Sequence, residues 1–272
     1  MAAEIGLDLS LGELYLLCEI SSLPPPPVLT EAPWNGQDTA TADLLRGAGH
    51  AALVARHVID DASGGDRVNP AVLAVLEVLC LPKAVIRMSH ASEGRERVRF
   101  VAVVEKAAVE QIELRGNVIR LVPMVIDDLV DRVVDFSDPA MPAGASAATT
   151  IPLAVLEACA RRAGAGDAPG AAGELVRAGL APESATALAE AIADPITTVR
   201  LEVVREASPD GVSVSEIGWV ETSAGPWTVS RPQTAATGDE TVVCSPVTRR
   251  NIAESLRTAL PESIRSGIGR FT

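Results

Sequence analysis

Hydrophobic and polar residues alternate along four short segments between residues 84 and 122, and a period of two is typical of β-strands with one buried face. In the first two segments the apolar positions are Ile86, Met88 and His90, followed by Val98, Phe100, Ala102 and Val104. Two more strands are predicted at residues 112–114 and 119–121, around a turn at residues 115–117. Because no crossover helix separates these strands, they are predicted to pair antiparallel.

The same succession of elements returns in the second half of the chain. The segment starting at Pro82 aligns without a gap with the segment starting at Pro195, 113 positions later, and this alignment equates Met88 with Leu201. Further on, Pro123 aligns with Pro246 at an offset of 123, so an insertion of 10 residues is predicted among the middle strands of the second copy. Two copies predict an internally duplicated α/β (α+β) domain with quasi-two-fold symmetry around an antiparallel sheet.

Helical periodicity and capping signals surround both strand sets. Helices are predicted at about residues 10–21, 41–59, 69–81, 126–136, 152–162, 171–179, 183–193 and 248–260. Residues 60–68 and 164–173 are rich in small and polar residues and are predicted to be loops. The chain is thus predicted to form a single domain of two halves, about 1–137 and 150–262, with a linker at 138–149 and a disordered tail at 263–272.

Composition limits the functional classes. The net charge of −13 disfavours binding to nucleic acids and anionic membranes. The first 20 residues contain no Lys or Arg, unlike the positive start of a signal peptide. No apolar run reaches the roughly 18 residues of a membrane helix. The four cysteines are dispersed in apolar surroundings and are predicted to be buried, reduced thiols, so a cytoplasmic protein is expected.

Residues suited to catalysis are sparse. His50 and His57 are seven positions apart on a predicted helix, which would allow two metal ligands, but no third ligand has supporting spacing. His90 is predicted to pack on the apolar face of its strand. Asp127, Asp128 and Asp131 lie where a helix begins, and negative charge there stabilises the helix dipole. Nucleophile-elbow, phosphate-loop and dinucleotide motifs are absent from the sequence, so the prediction is a protein that is not an enzyme and has no cofactor.

The second strand set contains a candidate binding surface. Trp219 and Trp227 lie on strands flanking residues 222–225, and across a hairpin the two indoles would form an apolar patch with Ile217 and Val229. Large aromatic side chains at an exposed sheet surface are frequent anchors for partner proteins. The alternative is that both indoles belong to the core.

The order of these motifs resembles the EspG family of ESX (type VII) secretion-associated proteins of actinobacteria, over most of the chain from Leu7 to Leu260. The residues that carry the resemblance are Val98-Arg-Phe-Val-Ala-Val-Val104, Val118-Ile-Arg-Leu-Val-Pro123, Glu221-Thr-Ser-Ala-Gly225-Pro-Trp-Thr-Val and Val242-Val-Cys-Ser-Pro246. It implies a cytoplasmic chaperone whose central antiparallel sheet is flanked by two helical bundles. Such a chaperone binds the helical tip of a PE–PPE heterodimer, or of a WXG-type dimer, through the sheet and the C-terminal bundle.

The resemblance makes Ile217, Trp219, Trp227 and Val229 the predicted contacts with the substrate protein, with Arg231 as a charge at the rim. The hairpin loops at residues 92–96 and 208–211 are further candidates for contact. Two other hypotheses stay open: a metal-binding or hydrolytic protein that uses His50 and His57, and an adaptor that recognises proline-rich or sheet-edge partners.

Overall fold

The computed structural model describes residues 6–29, 31–62, 65–92, 94–137, 148–193, 197–208, 211–222, 225–230 and 240–265. In this part of the chain the helices are α1 (Leu11–Ile20), α2 (Thr39–Ala55), α3 (Pro70–Cys80), α4 (Leu129–Ser137), α5 (Leu153–Gly164), α6 (Ala168–Arg177), α7 (Pro182–Ala193), α8 (Arg249–Ala259) and α9 (Glu262–Arg265). The strands of the first half are β1 (Leu7–Ser10), β2 (Ile59–Ala62), β3 (Gly65–Val68), β4 (Ala84–Ser92), β5 (Arg95–Val103), β6 (Ala107–Glu113) and β7 (Val118–Val125). Those of the second half are β8 (Thr149–Pro152), β9 (Thr197–Ser208), β10 (Gly211–Thr222), β11 (Gly225–Ser230) and β12 (Thr241–Pro246).

One antiparallel sheet runs through both halves of the chain. Its strand order is β1-β7-β6-β5-β4-β9-β10-β11-β12-β8, so the order of elements on one side of the β4–β9 pair is repeated on the other side. The pairing is antiparallel at every junction of this sheet among the described residues. The predicted duplicated antiparallel fold is therefore confirmed.

The symmetry axis passes through the middle of the β4–β9 pair. Met88 and Leu201, which the sequence repeat equates, lie directly opposite each other in the register of these two strands. Equivalent residues can face each other only where the two-fold axis crosses the ladder. The repeat offset of 113 positions in the sequence therefore places the symmetry axis between Met88 and Leu201.

The predicted insertion lengthens the central hairpin of the second half. β9 and β10 have 12 residues each, whereas their counterparts β4 and β5 have 9 each. The β9–β10 hairpin consequently extends further from the sheet than the β4–β5 hairpin.

Helices cover the two faces of the sheet differently. On one face, here called the helix-pair face, α4 and α8 cross the central strands and bury Leu129, Val133, Ile252 and Leu256. On the other, the bundle face, α1 to α3 cover the strands of the first half and α5 to α7 those of the second half. Burying side chains of this size stabilises a fold by about 1.5–3 kcal/mol each. The two clusters leave the central strands between the bundles without a helical cover on the bundle face.

Several helices begin at the capping residues that the sequence predicts. The Ser10 hydroxyl accepts a hydrogen bond from the Glu13 N–H, and the Glu13 carboxylate accepts one from the Ser10 N–H at 2.6 Å, which forms the predicted capping box of α1. Asn69 caps α3, which begins at Pro70 as expected. Thr248 caps α8 through the Asn251 N–H.

Four predictions about local structure are wrong. α2 begins after the Asp38 cap and ends at Ala55, not at Ile59. The predicted loop at 60–68 forms most of the β2–β3 hairpin, and the predicted loop at 164–173 contains the start of α6. Residues 263–265 of the predicted tail belong to α9, whose Ile264 is buried, and residues 266–272 lie outside the described residues. In the last three cases the chain forms helix or strand although its composition is typical of loops. Residues 138–147 of the predicted linker lie outside the described residues.

Candidate functional site

The two indoles of the predicted patch project from opposite faces of the sheet. Trp227 lies opposite Val220 in the β10–β11 register, so Trp219, one residue before Val220, points to the other face. Trp219 is 3% exposed in the core beneath α4 and α8, and Trp227 is 2% exposed in the core beneath α5 to α7. The prediction that both are exposed in one patch is wrong, because the register separates them.

The other predicted contact residues follow the same division. Ile217 packs partly buried against the core of the helix-pair face. Val229 shares the bundle face with Trp227 and is 39% exposed. Arg231 lies outside the described residues. The four described residues thus lie on two faces of the sheet, although all four contribute to the lining of one groove, and their contact with a partner stays a prediction.

A groove of about 940 Å³ opens where β10 and β11 separate, beside α8. Its lining includes Ile217, Trp219, Val229, Asn251, Ile252 and Ser255. The Thr228 hydroxyl donates to the Gly218 carbonyl at 2.7 Å across the narrow end of the groove. The indole N–H of Trp219 is buried without a hydrogen-bond acceptor in the described structure. Trp219 thus carries an unused hydrogen-bond donor that is buried beside the groove.

Paired charges cross the uncovered centre of the bundle face. Arg87 on β4 lies 3.0 Å from Glu202 on β9, and Arg200 on β9 lies 2.9 Å from Glu216 on β10. Arg200 also lies 3.2 Å from Glu202, so the pairs form one network across three strands. The hydrogen bond to Glu216 raises the pKa of Arg200 above its ordinary value. The result is a broad polar floor between two helical bundles, which suits a protein partner better than a small substrate.

The internal repeat of the sequence could have predicted part of this charge network. The repeat places Arg87 and Arg200 at equivalent positions, each one residue before a residue at the symmetry axis. Alternation then predicts both guanidiniums on the face opposite Met88. What the sequence could not indicate is that helices leave this part of the face uncovered.

A second group of charges is structural. Glu110 on β6 is fully buried and accepts hydrogen bonds from Arg99, at 2.8 Å, and from Arg132. The Arg99 guanidinium also lies 5.1 Å from the centre of the Phe136 ring. Buried charges persist in proteins when they are paired in this way. Glu110 therefore fixes the end of α4 on the sheet.

The histidines do not form a metal site in the described structure. His50 Nε2 lies 3.0 Å from the Asp66 carboxylate, whereas His57 lies beyond the end of α2 with a positive φ of 55°. The two rings therefore do not share a helix face as predicted. Among the described residues, no group of three or more His, Cys, Asp or Glu side chains is placed to hold a metal ion. His90 packs edge-on against Phe136 at 6.2 Å, which confirms its predicted packing role.

All four cysteines are free and buried, as predicted. Burial raises the pKa of Cys159, and it raises the pKa of Cys244 to about 11. Cys18 and Cys80 come within 3.6 Å of each other, a proximity that their spacing in the sequence does not reveal. Burial keeps all four thiols from solvent, and the raised pKa values of Cys159 and Cys244 also reduce their thiolate fraction, which disfavours nucleophilic catalysis by them.

The described helices include none that is long and apolar enough to cross a membrane. The fold is similar to that of the Mycobacterium tuberculosis type VII secretion system chaperone EspG5, whose structure was solved in complex with the PE25–PPE41 dimer. The match has a TM-score of 0.67 and 16% sequence identity, and it covers 94% of this chain and 97% of the chaperone. No protein with a curated sequence record shows significant sequence similarity to the chain. The sequence profile of the EspG family matches residues 10–258. The chain is therefore a member of the EspG family.

Proposed function

We propose that this protein is a chaperone of an ESX (type VII) secretion system, which binds a helical secretion substrate of the PE–PPE type and keeps it soluble in the cytoplasm before export. The observation that carries this proposal is membership of the EspG family across residues 10–258, a range that includes both strand sets and both bundles. A match of this extent argues for a shared role of the whole unit, because it is not restricted to one motif.

The structural relative supports the proposed class of partner. EspG5 was solved with a PE25–PPE41 dimer, and its fold covers this chain almost completely. A dimer of the PE–PPE type is therefore the proposed partner, and a WXG-type helical dimer is the alternative. The proposed role requires neither catalysis nor a cofactor, because a chaperone of this kind acts by covering an apolar surface that would otherwise aggregate.

We place the contact surface on the bundle face of β9 and β10, beside α5 to α7. This surface is wide, rests on a rigid sheet and carries the network of Arg200, Glu202 and Glu216. Val229 borders it and, of the five residues predicted from the sequence, is the one with the clearest access to a partner there. Trp227 would act beneath this surface by holding the strands in place.

A charge reversal tests this placement. Arg200→Glu puts a third carboxylate beside Glu202 and Glu216, and we expect it to weaken binding of the co-expressed helical dimer by about tenfold or more, because it reverses a charge at the centre of the surface. Arg250→Glu is the matched control, because Arg250 is more exposed and lies on α8 at the opposite face. Its affinity should stay within about twofold of the wild type. Equal affinities for both variants, measured by biolayer interferometry, would place the contact elsewhere.

A further inference from the structure

β10 continues far beyond the strand that pairs with it. β11 pairs with residues Val220, Glu221 and Thr222 of β10. Residues 211–219 pair with β9 on one side, and no strand in the described part of the chain pairs with them on the other side. Within the described part of the chain, residues 211–219 of β10 therefore form a strand edge, although β10 lies near the middle of the sheet order.

The backbone of this edge presents hydrogen-bonding groups to the open side. The Pro226 carbonyl accepts a hydrogen bond from the N–H of Val247, which follows β12. The Pro226 carbonyl therefore points away from Glu221, the residue that lies opposite it on β10. The backbone N–H and C=O groups of successive residues point alternately to the two sides of a strand. Those of Val220 therefore point towards β11, and the same side is shared by the backbone groups of Gly218, Glu216, Val214 and Val212. The bond from Thr228 to the Gly218 carbonyl has the direction that this alternation requires. The N–H and C=O groups of the last three therefore point to the open side of β10.

The symmetry-related edge in the first half is protected, and this one is not. β6 pairs with β5 from Arg99 onward, which leaves only residues 95–98 unpaired on that side. Three of these four residues are charged, and charge is a common defence of sheet edges against unwanted pairing. Residues 211–219 contain one charged residue, no proline and an alternation of Val and Ser, with Val212 and Val214 66% and 62% exposed. A long, apolar edge of this kind is a template for another strand.

The edge leads into the groove beside α8. Trp219, at the end of the unpaired run, lines that groove, and its buried indole N–H has no acceptor in the described structure. A buried donor without an acceptor destabilises a protein unless a ligand supplies one. A backbone carbonyl of a strand that follows β10 into the groove would supply it. Edge and groove thus point to the same kind of ligand.

We propose that β10 binds an extended segment of the secretion substrate by strand addition along residues 211–219, and that a carbonyl of this segment accepts from the Trp219 indole. Strand addition gives affinity through main-chain hydrogen bonds and specificity through alternate side chains. The identity of the partner rests on the proposed function, whereas the mode of binding rests on the edge itself. A second copy of β10 is disfavoured as the occupant, because the chain has a net charge of −13 and self-pairing would place two copies of Glu216 in one short ladder.

Proline substitution at one edge position separates backbone pairing from side-chain contact. Val214→Pro removes an N–H that faces the open side and leaves the β9 ladder intact, a position where strands tolerate proline. Val214→Thr retains the N–H and a side chain of similar shape. We expect Val214→Pro to weaken binding of the co-expressed substrate dimer by about tenfold or more and Val214→Thr by less than about threefold. Trp219→Phe, which retains the ring but not the N–H, should weaken it by about threefold to tenfold.

Hydrogen–deuterium exchange of the wild-type protein provides a readout that does not depend on how a variant folds. The amides of Val212, Val214 and Glu216 should exchange rapidly in the free protein and slowly in the complex. If a complex forms but these amides exchange equally fast in it, the strand-addition proposal is wrong while the chaperone proposal stands. Protection already present in the free protein, or protection that rises with its concentration, would also overturn it. Failure of the wild type to bind any helical dimer would overturn both proposals.

Discussion

Replacing Trp227 by Ala tests whether this indole holds the second half of the sheet together. The ring is 2% exposed and packs with Ile151, Val242 and Cys244 beneath α5 to α7. Removing a large aromatic side chain from a core costs about 3–5 kcal/mol, which combines lost transfer free energy with a cavity. For a domain of this size, 1 kcal/mol corresponds to about 2–4 °C in Tm, so the expected decrease in Tm is roughly 6–20 °C.

The assay combines thermal unfolding, followed by circular dichroism, with affinity measured well below the Tm of the variant. The folded fraction of Trp227→Ala should bind the helical partner with a Kd within about twofold of the wild-type value, because a core residue makes no contact with the partner. Val229→Ala is the control, since Val229 lies two residues along the same strand and is 39% exposed. Its Tm should change by about 2 °C or less. A Trp227→Ala protein of unchanged Tm and strongly weakened binding would refute the assignment of this indole to the core.

Three further predictions concern charge, acidity and thiol reactivity. Glu110→Gln should lower the free energy of unfolding by about 3 kcal/mol. This is the low end for a broken buried ion pair, because both guanidiniums retain some contact with solvent. A change below about 1 kcal/mol in urea unfolding would contradict the role of Glu110 in fixing α4 on the sheet. The hydrogen bond from Arg120 holds the pKa of Asp8 below its usual value. This pair therefore stabilises the fold fully at pH values above about 4, the pKa of Asp8 in the unfolded chain. The stabilisation is lost as the pH falls through the lower pKa of the folded state. Asp8→Asn should therefore reduce stability at pH 7, and urea titrations at a series of pH values should show this effect shrinking as the pH falls below about 4. The four thiols should react with Ellman's reagent only after unfolding, because all are buried; fast reaction of a thiol in the native protein would contradict their burial.

The architecture could be predicted from the sequence because the same succession of strands and helices occurs twice along the chain. Alternation identified most strands of the main sheet, and the repeat offset equated Met88 with Leu201, the pair that lies on the symmetry axis. Short elements were missed where they depend on their neighbours. β1 and β8 have four residues each and exist because they pair with β7 and β12. A four-residue strand has too few positions to show a period.

The candidate site was predicted less well, because a binding surface depends on which positions neighbouring elements leave uncovered. The sequence singled out Trp219 and Trp227 by residue type, but a difference of one position in register sends them to opposite cores. Conversely, Val212 and Val214 have the ordinary alternation of a strand. Only the separation of β11 from β10 after the Val220–Trp227 pair shows that their edge is unpaired among the described residues. Residue type and periodicity alone cannot predict where two neighbouring strands separate.

The central claim is that this protein is a chaperone for a helical secretion substrate. It is tested most directly by co-expressing the tagged protein with each pair of small helical proteins encoded beside its gene, followed by affinity purification and size-exclusion chromatography with light scattering. We expect one helical pair to co-elute with the chaperone as a complex of one copy of each chain, and to precipitate when expressed without it. A monodisperse protein that captures none of the pairs, together with pairs that remain soluble on their own, would contradict the claim.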